Sequence, residues 1–588
     1  MNHEKIAPGL MVAMENFQSQ GETGLMPQMQ TMGLVPSVGT SKPMRTVVFL
    51  DCDPNASLDH LAQHDIRINQ SEGRFRTAIL PFASLDALSQ DAAIKRILPS
   101  RYLQPKLDVA GEMTHVTQWR GEAQTGGKNV IVGIIDTGID ASHEAFKGRI
   151  LRIWDQQLRG DGVKEGGYGA ELTPGLFSIS RDDHGHGTHV AGIAGGADAM
   201  FCGVAPEAEF IIVKTSFMNA HIADAVRYIF RIASELNRPA VINLSLGGHF
   251  DAHDGSDPLS RIIDEQSGPG RLVCCAAGNE GTDDIHATAV VAALATQEIR
   301  FRVPATIRNI TLNGWYDGDA GIEIALVSPL GVSTPFQAVI RQGNNAKSYQ
   351  LPDAAVTVAS PPPNLANGDH QFVVDLQGQR QADVNSGVWK LLLRNVAKKP
   401  ATIHAWIMDD SQAASVIFTG AAVSDSMKIG SPGAAASAIT VAAYTSRAQW
   451  NDIDMQHQDV GFAPDTISEF SSEGPLRNMQ AKPDVTAPGA MIVSCLSKDS
   501  PARRRDIFRE HFRVMAGTSM ATPFITGLMA LLLQQDAELD PAHAKDILRK
   551  ISSIPGQSGT TFDNKWGGGL IDAAKLPFVL GSKQENAG

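Results

Sequence analysis

The chain has 588 residues, 43% of them hydrophobic, and a formal charge of −13, which is room for several globular domains. That acidic balance, with no basic face, excludes a nucleic-acid binder, and no apolar run reaches the length of a membrane span. Five cysteines, scattered except for Cys274-Cys275 in an apolar run, make no disulfide framework and no metal-ligand spacing, so a reducing compartment is expected.

Residues 1–43 are rich in Met, Gln and Gly, without periodicity, and read as an N-terminal arm. They lack the continuous apolar core of a secretory signal, which sets the expectation of a cytoplasmic protein. Residues 44–104 read as a small α/β unit. Its expected elements are a strand at Val47–Leu50, a short helix at Leu58–Ala62, a hairpin over Ile66–Phe82, a helix over Leu85–Ile94 and a closing strand before Pro99. The main domain follows, in a first part at 105–296. The β-branched run Val130–Ile135 suits a strand buried on both faces of a parallel sheet, and it ends in Asp136-Thr137-Gly138-Ile139-Asp140, at the strand end where α/β folds place their sites. Strands at Phe210–Val213, Ala240–Leu244 and Leu272–Ala277 and a helix over Ala220–Leu236 extend the pattern.

From 297 to 425 the pattern changes to short alternating strands, among them Ile299–Val303, Ile322–Leu326, Phe372–Leu376, Val388–Leu392 and Ile403–Ile407, with Gly and Pro between them. This reads as an inserted β-sandwich or jelly roll. Parallel-type sequence resumes over 426–588 and leads to Gly517-Thr518-Ser519-Met520-Ala521-Thr522-Pro523, which opens a strongly apolar helix. Pro523 is expected in that helix's first turn, where its missing N–H breaks no bond. A serine at a helix mouth is by itself an N-cap. The rest of the chain argues for more.

Amide hydrolysis needs a nucleophile, a base, a group that orients the base and donors for the oxyanion. Asp136, His186, Asn279 and Ser519, each beside glycine or small residues, offer these parts, although serial order alone does not bring them together. A metal site at His184, His186 and His189 is the weaker reading, because zinc helices prefer histidines at i and i+4 with an acidic neighbour.

The segments Asp136–Asp140, His186–Gly192, Ala276–Asn279 and Gly517–Pro523 resemble, in this order, the signature motifs of the subtilisin-like serine proteases. The resemblance implies a parallel sheet flanked by helices, Ser519 as nucleophile, His186 as general base, Asp136 as its orienting carboxylate and the Asn279 amide as oxyanion donor. It implies that Ser245, Leu246 and Gly247 pair with substrate backbone, with Ala276, Ala277, Gly278 and Glu280 around the primary pocket. Glu280 would favour basic side chains there. Residues 44–104 resemble the family's propeptide, which implies a self-processing zymogen whose own propeptide inhibits it, cut between about Arg101 and Glu112. The insert loosely resembles that of clostridial spore-germination proteases in the same superfamily. Substrates would be proteins or peptides. Many relatives carry structural calcium, but no ligand run here singles out a site, so neither cofactor nor metal is assigned. The alternative is a catalytically silent scaffold of the same fold that acts by binding.

Overall fold

Two units, Met1–Pro105 and Lys106–Gly588, make up the chain. The structure is a computed structural model that describes residues 5–6, 14, 17, 34–35, 43–68, 74–99, 108–340, 345–379, 383–409, 415–557 and 561–585.

In the first unit the strand Arg45–Cys52 pairs antiparallel with Phe75–Pro81, Ile94–Pro99 and Leu34–Val35. Its alternation puts Val48, Leu50 and Cys52 into a core with Ala78, Leu80 and Ile97, which Leu61, Leu85 and Leu88 cover. The helix expected over Leu85–Ile94 stops at Gln90. Asp91 leaves the helix with extended backbone and accepts the Ala93 N–H at 2.8 Å, which turns the chain into the last strand. Part of the N-terminal arm is also packed: Ile6 and Met14 lie in the core, and the Phe17 ring meets Phe82 edge-on at 5.4 Å. The stretch expected to be cut lies outside the described residues over 100–107, and Asp108–Met113 is helical.

The second unit is built on a sheet whose central strands are β1 (Ile131–Asp136), β2 (Glu209–Lys214), β3 (Ala240–Leu244), β4 (Arg271–Ala276), β5 (Ile439–Thr445) and β6 (Val485–Pro488). They lie in the order β6-β5-β4-β3-β1-β2, all parallel, and Ile150–Asp155 continues the sheet beyond β2. Every residue of β1, β3 and β5 is buried, as a sheet covered on both faces requires. The helices α1 (His186–Gly195) and α3 (Thr518–Gln535) pack on one face, and α2 (Asn219–Glu235) on the other.

Between β4 and β5 the chain makes a two-sheet sandwich. One sheet has six antiparallel strands in the order His286–Val291, Ala401–Asp409, Asn309–Tyr316, His370–Gln377, Ala355–Ala359 and Ala346–Gln350. The other has four: Ile322–Val327, Gly387–Asn395, Thr296–Val303 and Ile417–Thr419. Ile299, Phe301 and Leu391 of the smaller sheet share a core with Leu312, Phe372 and Val374 of the larger. The insert's first strand begins at His286, ahead of the expected residue 297; its run of small residues reads locally as a continuation of the preceding loop. At the neck the Thr288 N–H donates to the Ala422 carbonyl at 2.8 Å and the Ser424 N–H to the His286 carbonyl at 3.0 Å.

Candidate active site

The carboxyl ends of β1, β3 and β4 are neighbours on one edge of the sheet; α1 begins beside the first and α3 beside the other two. Asp136 closes β1 and is wholly buried. Its Oδ1 accepts the Thr137 N–H at 2.7 Å and the His186 Nδ1–H at 2.7 Å. A carboxylate only accepts, so Asp136 fixes the proton of neutral His186 on Nδ1 and leaves Nε2 with its lone pair. Burial opposes a charge on His186, but the Asp136 carboxylate and its hydrogen bond, with Asp182 nearby, outweigh it and hold the imidazole pKa above its usual value.

His186 is the first residue of α1, and the approach of this helix to β1 depends on a glycine. A Cβ on Gly187 would sit 2.2 Å from the Gly138 carbonyl oxygen. The same junction is tied by Asp182, which sequence reading passed over. Its buried carboxylate accepts the Thr137 hydroxyl at 2.8 Å and the Gly185 N–H at 2.7 Å on one oxygen. The other oxygen accepts the Thr188 N–H at 2.8 Å and the Thr188 hydroxyl at 2.6 Å. An acid four residues ahead of the helix start, where the first N–H groups need acceptors, is the signal that could have found it. His184 is exposed, and His189 is buried with Nε2 near the Ile492 and Arg513 carbonyls. Burial pulls its pKa down to about 3. Among the described residues no group of three or more His, Cys, Asp and Glu is placed to hold a metal ion.

Ser519 is the second residue of α3. The N-cap is Gly517, whose φ of +150° favours glycine. From Thr518 to Leu533 only Ser519 escapes burial. Pro523 is the sixth helical residue rather than a member of the first turn, so it deprives the Ser519 carbonyl of its helical donor. The Ser245 hydroxyl supplies that donor instead, at 2.8 Å. Ser245 is itself held by Asn243, which in turn accepts Thr526 of α3 at 3.0 Å. The Ser519 hydroxyl donates to the Ser245 carbonyl at 3.3 Å.

Asn279 follows β4. Its Oδ1 accepts the Thr518 N–H at 2.9 Å and the Thr518 hydroxyl at 3.1 Å, which aims Nδ2 away from these partners on the exposed side of the loop. Ala276 and Ala277 are buried, and the Gly278 N–H donates to the Thr518 hydroxyl at 3.2 Å. Beyond β3, Leu246 is half-buried and Gly247 exposed, and neither makes a backbone hydrogen bond among the described residues. Gly248 is fastened to the Ser431 carbonyl at 3.1 Å. Glu280 accepts the Ser472 hydroxyl at 2.7 Å and faces the His249 Nε2 at 3.6 Å. Burial acts against its charge, yet His249 and Ser472 hold its carboxyl below the usual range. His249 does not stand out in the sequence, because it reaches Glu280 from a distant loop.

The model of the subtilase family matches residues 127–313 and 377–569, all of the elements just described on either side of the insert's centre. The chain belongs to the subtilase family. It is similar to serine protease AprX of Bacillus subtilis (strain 168), 24% identical over 489 residues that cover 80% of this chain and 72% of the relative. It is also similar to a PII-type proteinase of Lactococcus lactis subsp. cremoris, 25% identical over 76% of this chain, though it spans only a quarter of that protein. Among solved structures, the fold is similar to that of the Clostridium perfringens CspB protease, with a TM-score of 0.66 and 22% identity over 80% of this chain and 98% of that one. This subtilase is thus a subtilisin-like serine protease with a β sandwich inserted between β4 and β5.

Proposed function

We propose that this subtilase hydrolyses protein substrates as an endopeptidase through an acyl-enzyme on Ser519. The observation that carries the reading is the 2.7 Å bond from His186 to buried Asp136, which leaves Nε2 as the one basic lone pair of the imidazole. Rotation about the Ser519 Cα–Cβ bond frees its hydroxyl from the Ser245 carbonyl. His186 Nε2 then takes the hydroxyl proton as Oγ attacks the scissile carbonyl. The imidazolium that forms is stabilised by Asp136. The oxyanion accepts from Asn279 Nδ2 and the Ser519 N–H, at the positive end of α3. His186 then returns the proton to the leaving amine, and water repeats the cycle to release the acid.

The backbone of Leu246 and Gly247, unpaired among the described residues, supports the addition of an extended peptide as a further strand. Glu280 would give the primary pocket a carboxylate and a liking for basic side chains; in a peptide-library profile, Glu280→Gln should lose that preference. The first unit would act as an intramolecular propeptide, removed by self-cleavage in the segment after it. N-terminal sequencing of the purified protein beside Ser519→Ala tests both ideas. The wild type should yield a start between about Arg101 and Glu112, and the variant one full-length species that a covalent serine-hydrolase probe does not label. A wild type that the probe also fails to label would leave the silent scaffold as the function.

A further inference from the structure

Glu280 has a partner that a simple acidic pocket lacks. The His249 imidazole faces its Oε2 at 3.6 Å, and its other nitrogen, Nδ1, lies 3.0 Å from His253 Nε2. The direction of that second bond is fixed. His253 Nδ1 lies 3.2 Å from the Asp251 carbonyl oxygen, which only accepts, so the proton of His253 is on Nδ1. His253 is fully buried, and desolvation together with His249 and His286 holds it well below the usual imidazole range, in the neutral form. Its Nε2 is therefore an acceptor, and His249 must donate from Nδ1. With Nδ1 committed, a neutral His249 would present a lone pair to the Glu280 carboxylate. Only a ring with protons on both nitrogens donates to both neighbours.

The inserted sandwich holds this relay in place. The Trp406 ring stacks on His253 at 3.9 Å and within 4° of parallel, and it also stacks on His286 at 4.6 Å. Trp406 and His286 sit on adjacent strands of the insert's larger sheet, and Trp406 is anchored by its Nε1–H to the Met427 carbonyl at 2.9 Å. Asp251, the other acid close to His249, already accepts N–H groups of Ser431 and His253, and burial with the nearby Asp257 pushes its carboxyl up to about 7. Glu280 is thus the anion that His249 serves.

We propose that His249 is a specificity-determining residue: held by His253 and by Trp406 of the insert, it offsets the charge of Glu280, so that the primary pocket accepts neutral side chains as well as basic ones. This rests on the proteolytic reading above and goes on to assign the insert a part in it. His249 acts through Glu280, so the readout is a ratio that a loss of folding would not change. The test uses the full chain and two peptide p-nitroanilides that differ only in lysine or methionine before the scissile bond. In His249→Gln the lysine-to-methionine ratio of kcat/KM should rise by about tenfold or more, since a unit charge a few ångströms from the bound ammonium is worth at least that at a protein surface. In Glu280→Gln, whose amide can donate to a neutral His249, the ratio should fall, and adding His249→Gln to that variant should leave it there. A ratio within about twofold of wild type in His249→Gln, or the same rise in the Glu280→Gln background, would overturn the assignment. If no variant and no wild-type sample cleaves either peptide or casein, the proteolytic reading itself fails. Cleavage by a charge-blind His249→Gln refutes only the role of His249.

Discussion

Asp182→Asn is the sharpest probe of how the site is held together, because it alters one atom of a group that touches neither substrate nor nucleophile. The carboxylate accepts four bonds, two on each oxygen, and each oxygen serves one backbone N–H and one threonine hydroxyl. An amide keeps the shape but turns one oxygen into a donor. The threonine on that side rotates its hydroxyl to accept, but the backbone N–H of Gly185 or Thr188 cannot, so one buried donor is orphaned and the bonds that remain lose their charge. An unmet buried donor costs about 1–3 kcal/mol, and losing charge assistance adds a comparable amount, so the loss should total about 2–6 kcal/mol. Denaturant unfolding in the Ser519→Ala background, where self-digestion is absent, measures it. Asp182 also helps to raise the pKa of His186, so in the active enzyme the acid limb of the pH–rate profile should move to lower pH. A loss below about 0.5 kcal/mol, the range of an ordinary surface substitution, with an unmoved acid limb would refute the role given to Asp182.

Three further outcomes follow from the same geometry. Asn279→Ala should lower kcat by roughly a hundred- to a thousandfold with little change in KM, because its amide is aimed at an oxyanion that exists only during reaction; single-turnover kinetics would show it. Ser245→Ala removes the hydroxyl that donates to the carbonyl Pro523 strands, and should cost about 1–3 kcal/mol of stability in chemical unfolding. The pKa of His186 is raised, so its neutral, basic form accumulates above the usual imidazole value, near about 6.5, and kcat/KM should climb with pH through that higher value. The same shift stabilises the folded state below the ordinary pKa, and this contribution fades as pH rises through the folded one, which a pH series of unfolding curves would register.

The sequence displays what is local. The runs ending in Asp136 and Asn279, the glycines around His186 and the small residues before Ser519 are each written in a few consecutive positions, and so are the strands of the parallel sheet. Pairings that span the chain are not written that way. Asp182 meets Thr137, Glu280 meets Ser472 and Ser245 meets Ser519 only once the sheet is assembled. Pro523 falls outside the expected first turn for a related reason: the helix starts at Thr518, and the cost of a proline five residues in is met by the Ser245 hydroxyl, from the loop after β3. The insert strand Asn309–Tyr316 was missed because Gly314 interrupts its alternation. That glycine is there for the Phe372 ring, which a Cβ would strike.

The paired neck of the insert bears on how this chain finds its fold. β4 and β5 are neighbours in the sheet, yet residues 277–438 lie between them. Were that stretch unstructured, bringing its ends together would mean closing a long loop, though each doubling of length adds only about 0.6 kcal/mol. Because the sandwich enters at His286 and leaves at Ser424 through adjoining hydrogen bonds, its prior folding would bring the ends together in advance. Closing the sheet would then mean joining only the short arms 277–285 and 425–438 rather than the whole stretch.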